Sequence, residues 1–207
     1  SNLRRQRQMC IRDSNANVEE VINEVFKANK CIDVLINNAG GAPLINSLDA
    51  SMNFNNAIID LNLNSSFAVS YYVAKKMIKK SSGCVITNIS SVTATRPTPG
   101  SAAYGAAKGG LVNLTKTLAV EWAPRIRVNS IIAGYIETEN SLVHYGSKKD
   151  MKAVAKSIPM KRMGTPEDIA NACIFLSSAN SSWITGTAIE VHGGGESPTY
   201  LLSLIHI

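Results

Sequence analysis

The sequence predicts an α/β fold in which a parallel sheet lies between helices. Three observations predict it. Four short runs rich in β-branched residues recur along the chain, at 31–36, 84–89, 126–132 and 187–192. Segments with helical apolar spacing separate them, as in a layered sheet whose strands run the same way. Each run also closes on small, polar or glycine residues, at Asn37 to Gly41, Ser90-Ser91, Ala133-Gly134 and Gly193 to Gly195. Ligands of such sheets gather at the carboxyl ends of the strands.

The first helix is expected over 17–30, where Val18, Val21, Ile22, Val25 and Phe26 follow the i, i+3, i+4, i+7, i+8 stripe of an amphipathic helix. The run 31–36 reads as a buried parallel strand ending in a tight turn. A long helix is expected over 50–80, with Asn62 and Asn64 in its middle. Asparagine competes for backbone partners, so these amides either face solvent or mark a kink where a side chain enters the hydrogen-bond ladder. The strand at 84–89 leads into a turn-rich stretch and then a helix over 101–122, with Ser101 as the N-cap after Pro99-Gly100. The third strand is 126–132. A short helix at 147–157 carries Lys148, Lys152 and Lys156 four residues apart; the stripe is either a solvated face or a greeting to an anionic substrate at a pocket mouth. Thr165-Pro166-Glu167-Asp168 reads as a helix start, with a threonine cap, proline in the first turn and acids near the positive end of the dipole.

Composition narrows the function classes. With 45% hydrophobic and 17% charged residues, the 207-residue chain is globular in character and long enough for one sizeable core. No run approaches the length needed to span a bilayer, so no membrane association is expected. No apolar segment follows the N-terminal arginines, and no secretory leader is expected. Cys10, Cys31, Cys84 and Cys173 are widely spaced with no metal-ligand pattern, which fits reduced cysteines, a cytoplasmic location and no metal. Arg4, Arg5, Arg7 and Arg12 against Asp13 give residues 1–13 half of the net charge of +6. Such an arm could bind nucleic acid with strong salt dependence. Without interleaved aromatics or a recognition motif, no nucleic-acid partner is expected.

The chemistry centres on Ser91, Tyr104 and Lys108. Ser91 falls at a strand end, while Tyr104 and Lys108 lie four apart in the first turns of a helix and share a face. An ammonium beside a phenol favours the phenolate, and the helix N-terminus pushes the same way. A phenol tuned in this way can protonate an alkoxide or deprotonate an alcohol, and a serine hydroxyl can hold the carbonyl oxygen. A Tyr-x-x-x-Lys pair alone is a common helical pair. Its meaning comes from the other landmarks.

Those landmarks, in this order, resemble the short-chain dehydrogenase/reductase family, in its 3-oxoacyl-carrier-protein-reductase-like branch. The family's Asn-Asn-Ala-Gly appears as Asn37 to Gly40, and its helix asparagine matches Asn62. Its catalytic serine matches Ser91, thirteen residues before Tyr104, and its Tyr-x-x-x-Lys matches Tyr104 and Lys108. Ala133-Gly134 stands where Pro-Gly is usual. The resemblance implies a doubly wound Rossmann-type parallel sheet with helices on both faces, and an NAD- or NADP-dependent oxidoreductase acting on a small carbonyl or secondary alcohol. It implies Tyr104 as general acid/base, Lys108 as its tuner and a nicotinamide-ribose ligand, Ser91 on the substrate oxygen, and Asn62 holding a water of the proton relay. Asn38, Ala39, Gly40, Gly134, Ile136 and Thr138 would border the cofactor. A homodimer or homotetramer is implied, through the helices at 50–80 and 101–122. Gly109 and Gly110 mark either that subunit contact or close packing on the sheet.

Three departures qualify the resemblance. Ala107 replaces a common serine, and His192 stands where aspartate often precedes the terminal glycines, in a structural rather than catalytic place. No Thr-Gly-x-x-x-Gly-x-Gly occurs anywhere in the sequence. That turn normally cradles the pyrophosphate. The expectation is therefore a partial domain at 15–201 that lacks the first strands, exposes an open apolar edge at 32–36 and binds NAD(P)H poorly, with its activity impaired although the catalytic residues are intact. Residues 1–14 and 202–207 resemble translated adapter sequence and read as non-native tails. A non-catalytic scaffold on the same fold is the rival from another class.

Overall fold

A computed structural model describes residues 15–29, 31–79, 83–139 and 141–195. The arginine-rich arm and both expected tails lie outside the described residues. Four parallel strands form one sheet in the order β1-β2-β3-β4: β1 Val34–Asn37, β2 Cys84–Ser91, β3 Ile126–Ala133 and β4 Ala188–Val191. The helices between them are α1 Asn15–Ala28, α2 Met52–Ile59, α3 Ser65–Met77, α4 Ala102–Trp122, α5 Ser141–Tyr145, α6 Lys148–Ser157 and α7 Pro166–Ser177. Single turns of 3₁₀ helix follow β2 at Val92–Ala94 and α7 at Ala179–Ser181.

Alternation along the strands decides which face each helix covers. Cys84 and Ile86 of β2 and Ile126 and Val128 of β3 point to one face, where Val73, Ala74 and Met77 of α3 and Leu118 and Ala119 of α4 close over them. Ile22 of α1 packs against this cluster from outside. Ile89 and Ile131 point to the other face and meet Cys173 and Leu176 of α7. Helices therefore lie on both faces of a parallel sheet, the doubly wound arrangement expected. On the α3–α4 face the strands turn polar toward their carboxyl ends. Asn37 Nδ2 donates to Asn88 Oδ1 at 2.7 Å and to Ser70 Oγ at 2.8 Å, and Asn88 Nδ2 donates to Thr115 Oγ1 at 2.9 Å. This buried chain of amides ties β1 to β2 and both to the helices, and every step is hydrogen-bonded as burial demands.

Several boundaries differ from expectation. The first strand starts three residues later and takes in Asn37, while β2 runs on through Ser91 because β3 continues beside it to Ala133. The expected 50–80 helix is broken by a π-helical turn at Asp60–Asn64. Ser101 holds the N-cap position of α4, but its side chain makes no capping bond. The capping box of α7 is present, and the half-buried Asp168 is also paired with Arg162 Nη1 at 2.6 Å, which holds its carboxyl well below the usual carboxylate range. The short α5 carries no strong sequence signal and was not expected. Lys148, Lys152 and Lys156 are all exposed on α6.

Among the described residues β1 pairs with β2 alone, and it is an open edge. Leu35 packs into the α3–α4 face, whereas Val34 and Ile36 point to the opposite face and are 38% and 44% exposed. They are bare because α7 covers β2 and β3 and stops short of β1. A strand edge with apolar side chains is a template for pairing. The chain is expected to self-associate at micromolar concentration, and Ile36→Lys to reduce the associated fraction several-fold in light scattering. Wild-type protein that stays monomeric and melts cooperatively would contradict this.

Candidate active site

Ser91, Tyr104, Lys108 and Asn62 converge at the carboxyl ends of β1 and β2. Each arrives there for a local reason. Ser91 ends β2 in extended conformation, where its Oγ accepts from Thr93 N at 3.3 Å and starts the 3₁₀ turn. That turn lies against α4 so closely that a Cβ on Gly105 would come within 3.1 Å of the Thr93 carbonyl. Tyr104, half-buried in the first turn of α4, is thus held beside the strand end, and its phenol is hydrogen-bonded to the Ser91 hydroxyl.

Lys108 is one turn further along and only 4% exposed. Its Nζ donates to the Ile89 carbonyl at 2.8 Å and sits 5.7 Å from the centre of the Tyr104 ring. Ser90 Oγ donates to the Lys108 carbonyl at 3.0 Å, so β2 grips this residue at both ends. Sequence reasoning passed over Ser90, although a second serine beside the expected one was a signal.

Burial governs the electrostatics. It pushes the Tyr104 phenol above its ordinary value, and the Ser91 bond pulls back only part of the way. The ammonium-driven lowering expected from the i, i+4 pair does not dominate. The same burial lowers the Lys108 amine to about 8. An unfolded lysine holds its proton to a higher pH, so between pH 8 and pH 10 the unfolded chain binds more protons and stability rises with pH. The rise is about 2 kcal/mol. Denaturant unfolding at the two pH values should show this increment in wild type and lose it in Lys108→Met.

Asn62 resolves the choice left open by the sequence. It is fully buried, not solvent-facing. Its Nδ2 donates to the Ile58 carbonyl, four residues back, and to the Gly41 carbonyl, both at 2.9 Å, while its Oδ1 accepts from Gly41 N at 2.8 Å. The side chain has entered the ladder of its own helix, which widens there into the π turn. It thereby pins the loop after β1, and a Cβ on Gly40 would lie 2.5 Å from Asn62 Oδ1 and 3.1 Å from Lys108 Nζ. Asn64 is exposed and bonds Asp60.

The residues expected to border a cofactor follow the ends of β1 and β3. Asn38 and Gly40 are exposed and Ala39 half-buried beyond β1. Gly134 follows β3, where a Cβ would come 2.8 Å from the His192 Cα. Ile136 bridges Gly164, and Thr138 N donates to Ser141 Oγ at 2.7 Å at the start of α5. Gly109 and Gly110 pack within the chain: a Cβ on Gly110 would meet Leu63 at 3.0 Å and one on Gly109 the Ala94 carbonyl at 3.5 Å. Neither contact is with the sheet. His192 bonds Glu190 at 2.8 Å on the β4 side. Among the described residues no group of acidic, cysteine and histidine side chains could hold a metal.

A strand-end serine beside a helical tyrosine, with a buried lysine one turn on, thus sits at the carboxyl edge of a parallel α/β sheet. The family profile described as Enoyl-(Acyl carrier protein) reductase matches residues 12–196. The chain belongs to the short-chain dehydrogenase/reductase family. It is 38% identical over 180 residues to a 3-oxoacyl-[acyl-carrier-protein] reductase FabG from Rickettsia felis, a match that covers 86% of this chain and 73% of the relative. Among solved structures, the ligand-free aldohexose dehydrogenase of Thermoplasma acidophilum superposes with a TM-score of 0.84 at 33% identity, over 88% of this chain and 75% of that one. A 7α-hydroxysteroid dehydrogenase complexed with NADH and 7-oxo glycochenodeoxycholic acid gives 0.82 at 31% identity, over 90% and 72%. No described helix is long and apolar enough to cross a membrane.

Proposed function

We propose that this chain carries the catalytic half of an NAD(P)(H)-dependent oxidoreductase acting on a carbonyl or secondary alcohol, with Tyr104 as general acid/base. The hydrogen bond from Ser91 to a phenol that lies under a buried lysine is the observation that carries this reading. A carbonyl oxygen placed between the Ser91 and Tyr104 hydroxyls accepts from both. As negative charge grows on that oxygen, the Tyr104 proton moves to it, and the Lys108 ammonium, held by the Ile89 carbonyl, stabilises the phenolate left behind. A phenol raised by burial starts protonated at neutral pH, which suits the reductive direction. Asn62, with Gly41 and Ile58 on its amide, supports a relay through water from Lys108 to solvent.

The residues present fit the nicotinamide end of the cofactor. Gly40 leaves the wall beside Lys108 Nζ and Asn62 free of any side chain, which is what close approach of a ribose requires. Asn38, Ala39 and Gly40, then Gly134, Ile136 and Thr138, line it, together with Tyr104 and Lys108. The bound dinucleotide supplies the hydride. With no glycine-rich pyrophosphate turn in the sequence, NAD(P)H binds more weakly than micromolar. Homo-oligomers form through α3 and α4, where Phe67, Tyr71 and Val120 are 43%, 45% and 81% exposed.

The test is NADPH or NADH oxidation, at millimolar cofactor, with a 3-oxoacyl thioester and a simple ketone. Slow carbonyl-dependent turnover is expected. Sub-micromolar cofactor binding by calorimetry would overturn the weak-binding element, and the absence of turnover at saturating cofactor would overturn the catalytic one.

A further inference from the structure

α3 links the candidate active site to the far end of the sheet. It follows the π turn of Asn62, runs to Met77 and leads into β2. Arg125, the residue before β3, donates from Nη1 to the Ile78 carbonyl at 3.1 Å. The last turn of α3 therefore stands at the amino ends of the strands, whereas Ser91 and Tyr104 stand at the carboxyl ends. α1 packs on α3, and Ile22 and Val69 both lie against the core from outside. Beside that contact the two helices leave a cleft of about 150 Å³.

The walls of the cleft differ in kind. α1 supplies the Glu19 carboxylate and the half-buried Asn23 amide. α3 supplies the half-buried Tyr72, then Lys75 and Lys76 of its last turn, and Lys79 follows just past its end. Lys75 Nζ lies 5.1 Å from the centre of the Tyr71 ring, which meets Tyr72 edge-on at 5.2 Å. Among the described residues, no hydrogen bond or ion pair engages the side chains of Glu19, Asn23, Lys76 or Lys79. Cations in a last turn answer the helix dipole. That accounts for Lys75 and Lys76, but not for Lys79, nor for an acid and an amide on the opposite wall.

Three ammonium groups against one carboxylate leave the cleft with two positive charges. A phosphate monoester carries about −1.5 to −2 at pH 7 and offers three acceptor oxygens. Opposite the lysines, a carboxylate accepts from hydroxyls, and an amide both accepts and donates. The Tyr72 ring and Ile22 offer apolar surface to C–H groups between the two polar walls. The cleft is well below the ~300–1,000 Å³ of pockets that enclose drug-sized ligands, so its ligand is small.

We propose that the cleft between α1 and α3 binds a small polyol phosphate, with the phosphate at Lys75, Lys76 and Lys79 and the hydroxyls at Glu19 and Asn23. The acid/base chemistry at the other end of the sheet neither requires this site nor shares a residue with it.

The test is calorimetric titration of the full chain, without cofactor, with glycerol 3-phosphate, inorganic phosphate and glycerol. Glycerol 3-phosphate is expected to bind about 10-fold more tightly than inorganic phosphate, through the added hydroxyl bonds, and glycerol not measurably. The double variant Lys76→Gln, Lys79→Gln is expected to weaken glycerol 3-phosphate by at least about 10-fold. Lys148→Gln with Lys152→Gln, which removes the same charge from exposed positions on α6, should leave it unchanged. Glu19→Gln lifts a repulsion and should tighten inorganic phosphate a few-fold while narrowing the preference for the polyol. Equal binding of the two phosphates by wild type would overturn the proposal. So would equal losses in the two lysine pairs, which would mark a general charge effect. Should the double variant not fold, Lys79→Gln, exposed and beyond the end of α3, carries the same test.

Discussion

Tyr104→Phe is expected to lower NAD(P)H-linked carbonyl reduction by about 10²–10⁴-fold while leaving the fold in place. The ring keeps its packing in the first turn of α4, and the substitution removes one hydroxyl, bonded to Ser91. Loss of one such bond costs about 1 kcal/mol at most in a half-buried place, so unfolding should move little. The large effect falls on the rate because, on the proposed mechanism, the Tyr104 hydroxyl is the group that hands its proton to the carbonyl oxygen. Lys108 Nζ is turned to the Ile89 carbonyl at 2.8 Å, and the Ser91 hydroxyl is too weak an acid to replace a phenol. Steady-state rates with thermal melts on both proteins check this. A variant that retains turnover within a few-fold would remove Tyr104 from the chemistry.

Gly134→Ala is expected to destabilise the chain by about 3 kcal/mol, the upper end for overpacking. The added Cβ would stand 2.6 Å from the His192 Cβ and 2.8 Å from its Cα. Neither side can retreat cheaply. Gly134 N donates to the Val191 carbonyl at 3.0 Å, and β3 and β4 are in register from Ser130 to Ala133 opposite Ala188 to Val191. For a chain of this size the melting temperature should fall by about 10 °C. A melting temperature within a degree of wild type would show that the two strand ends part easily. The glycine that the resemblance assigns to the cofactor is thus required first by the close approach of the β4 turn.

The elements legible in the sequence are those whose causes are local. The β-branched runs became strands and the Thr165-to-Asp168 start became a capped helix, because side-chain spacing and backbone capping act within a few residues. Ser101 shows the limit of that reasoning: the residue type and position are right, yet its hydroxyl makes no cap bond. The alternation of strands and helices was enough for the layered sheet. The open apolar edge at β1 was expected from the absent glycine turn, whereas the choice of Val34 and Ile36 as its bare side chains depends on how far α7 reaches across the other face.

The candidate site divides along the same line. Tyr104 and Lys108 could be picked out because four residues of spacing put them on one helix face, and Ser91 because it ends a strand and matches the serine that the family resemblance implies. Asn62 could be picked out, but not its bond to Gly41, twenty-one residues away across a loop. The cleft that brings Glu19 and Lys79 together from two helices carried no sequence signal. The sequence by itself determined a parallel α/β sheet with a serine, a tyrosine and a lysine at its carboxyl edge. Only the tertiary structure decided which way their proton affinities move, because burial raises the phenol and lowers the amine, and desolvation depends on everything that packs around them.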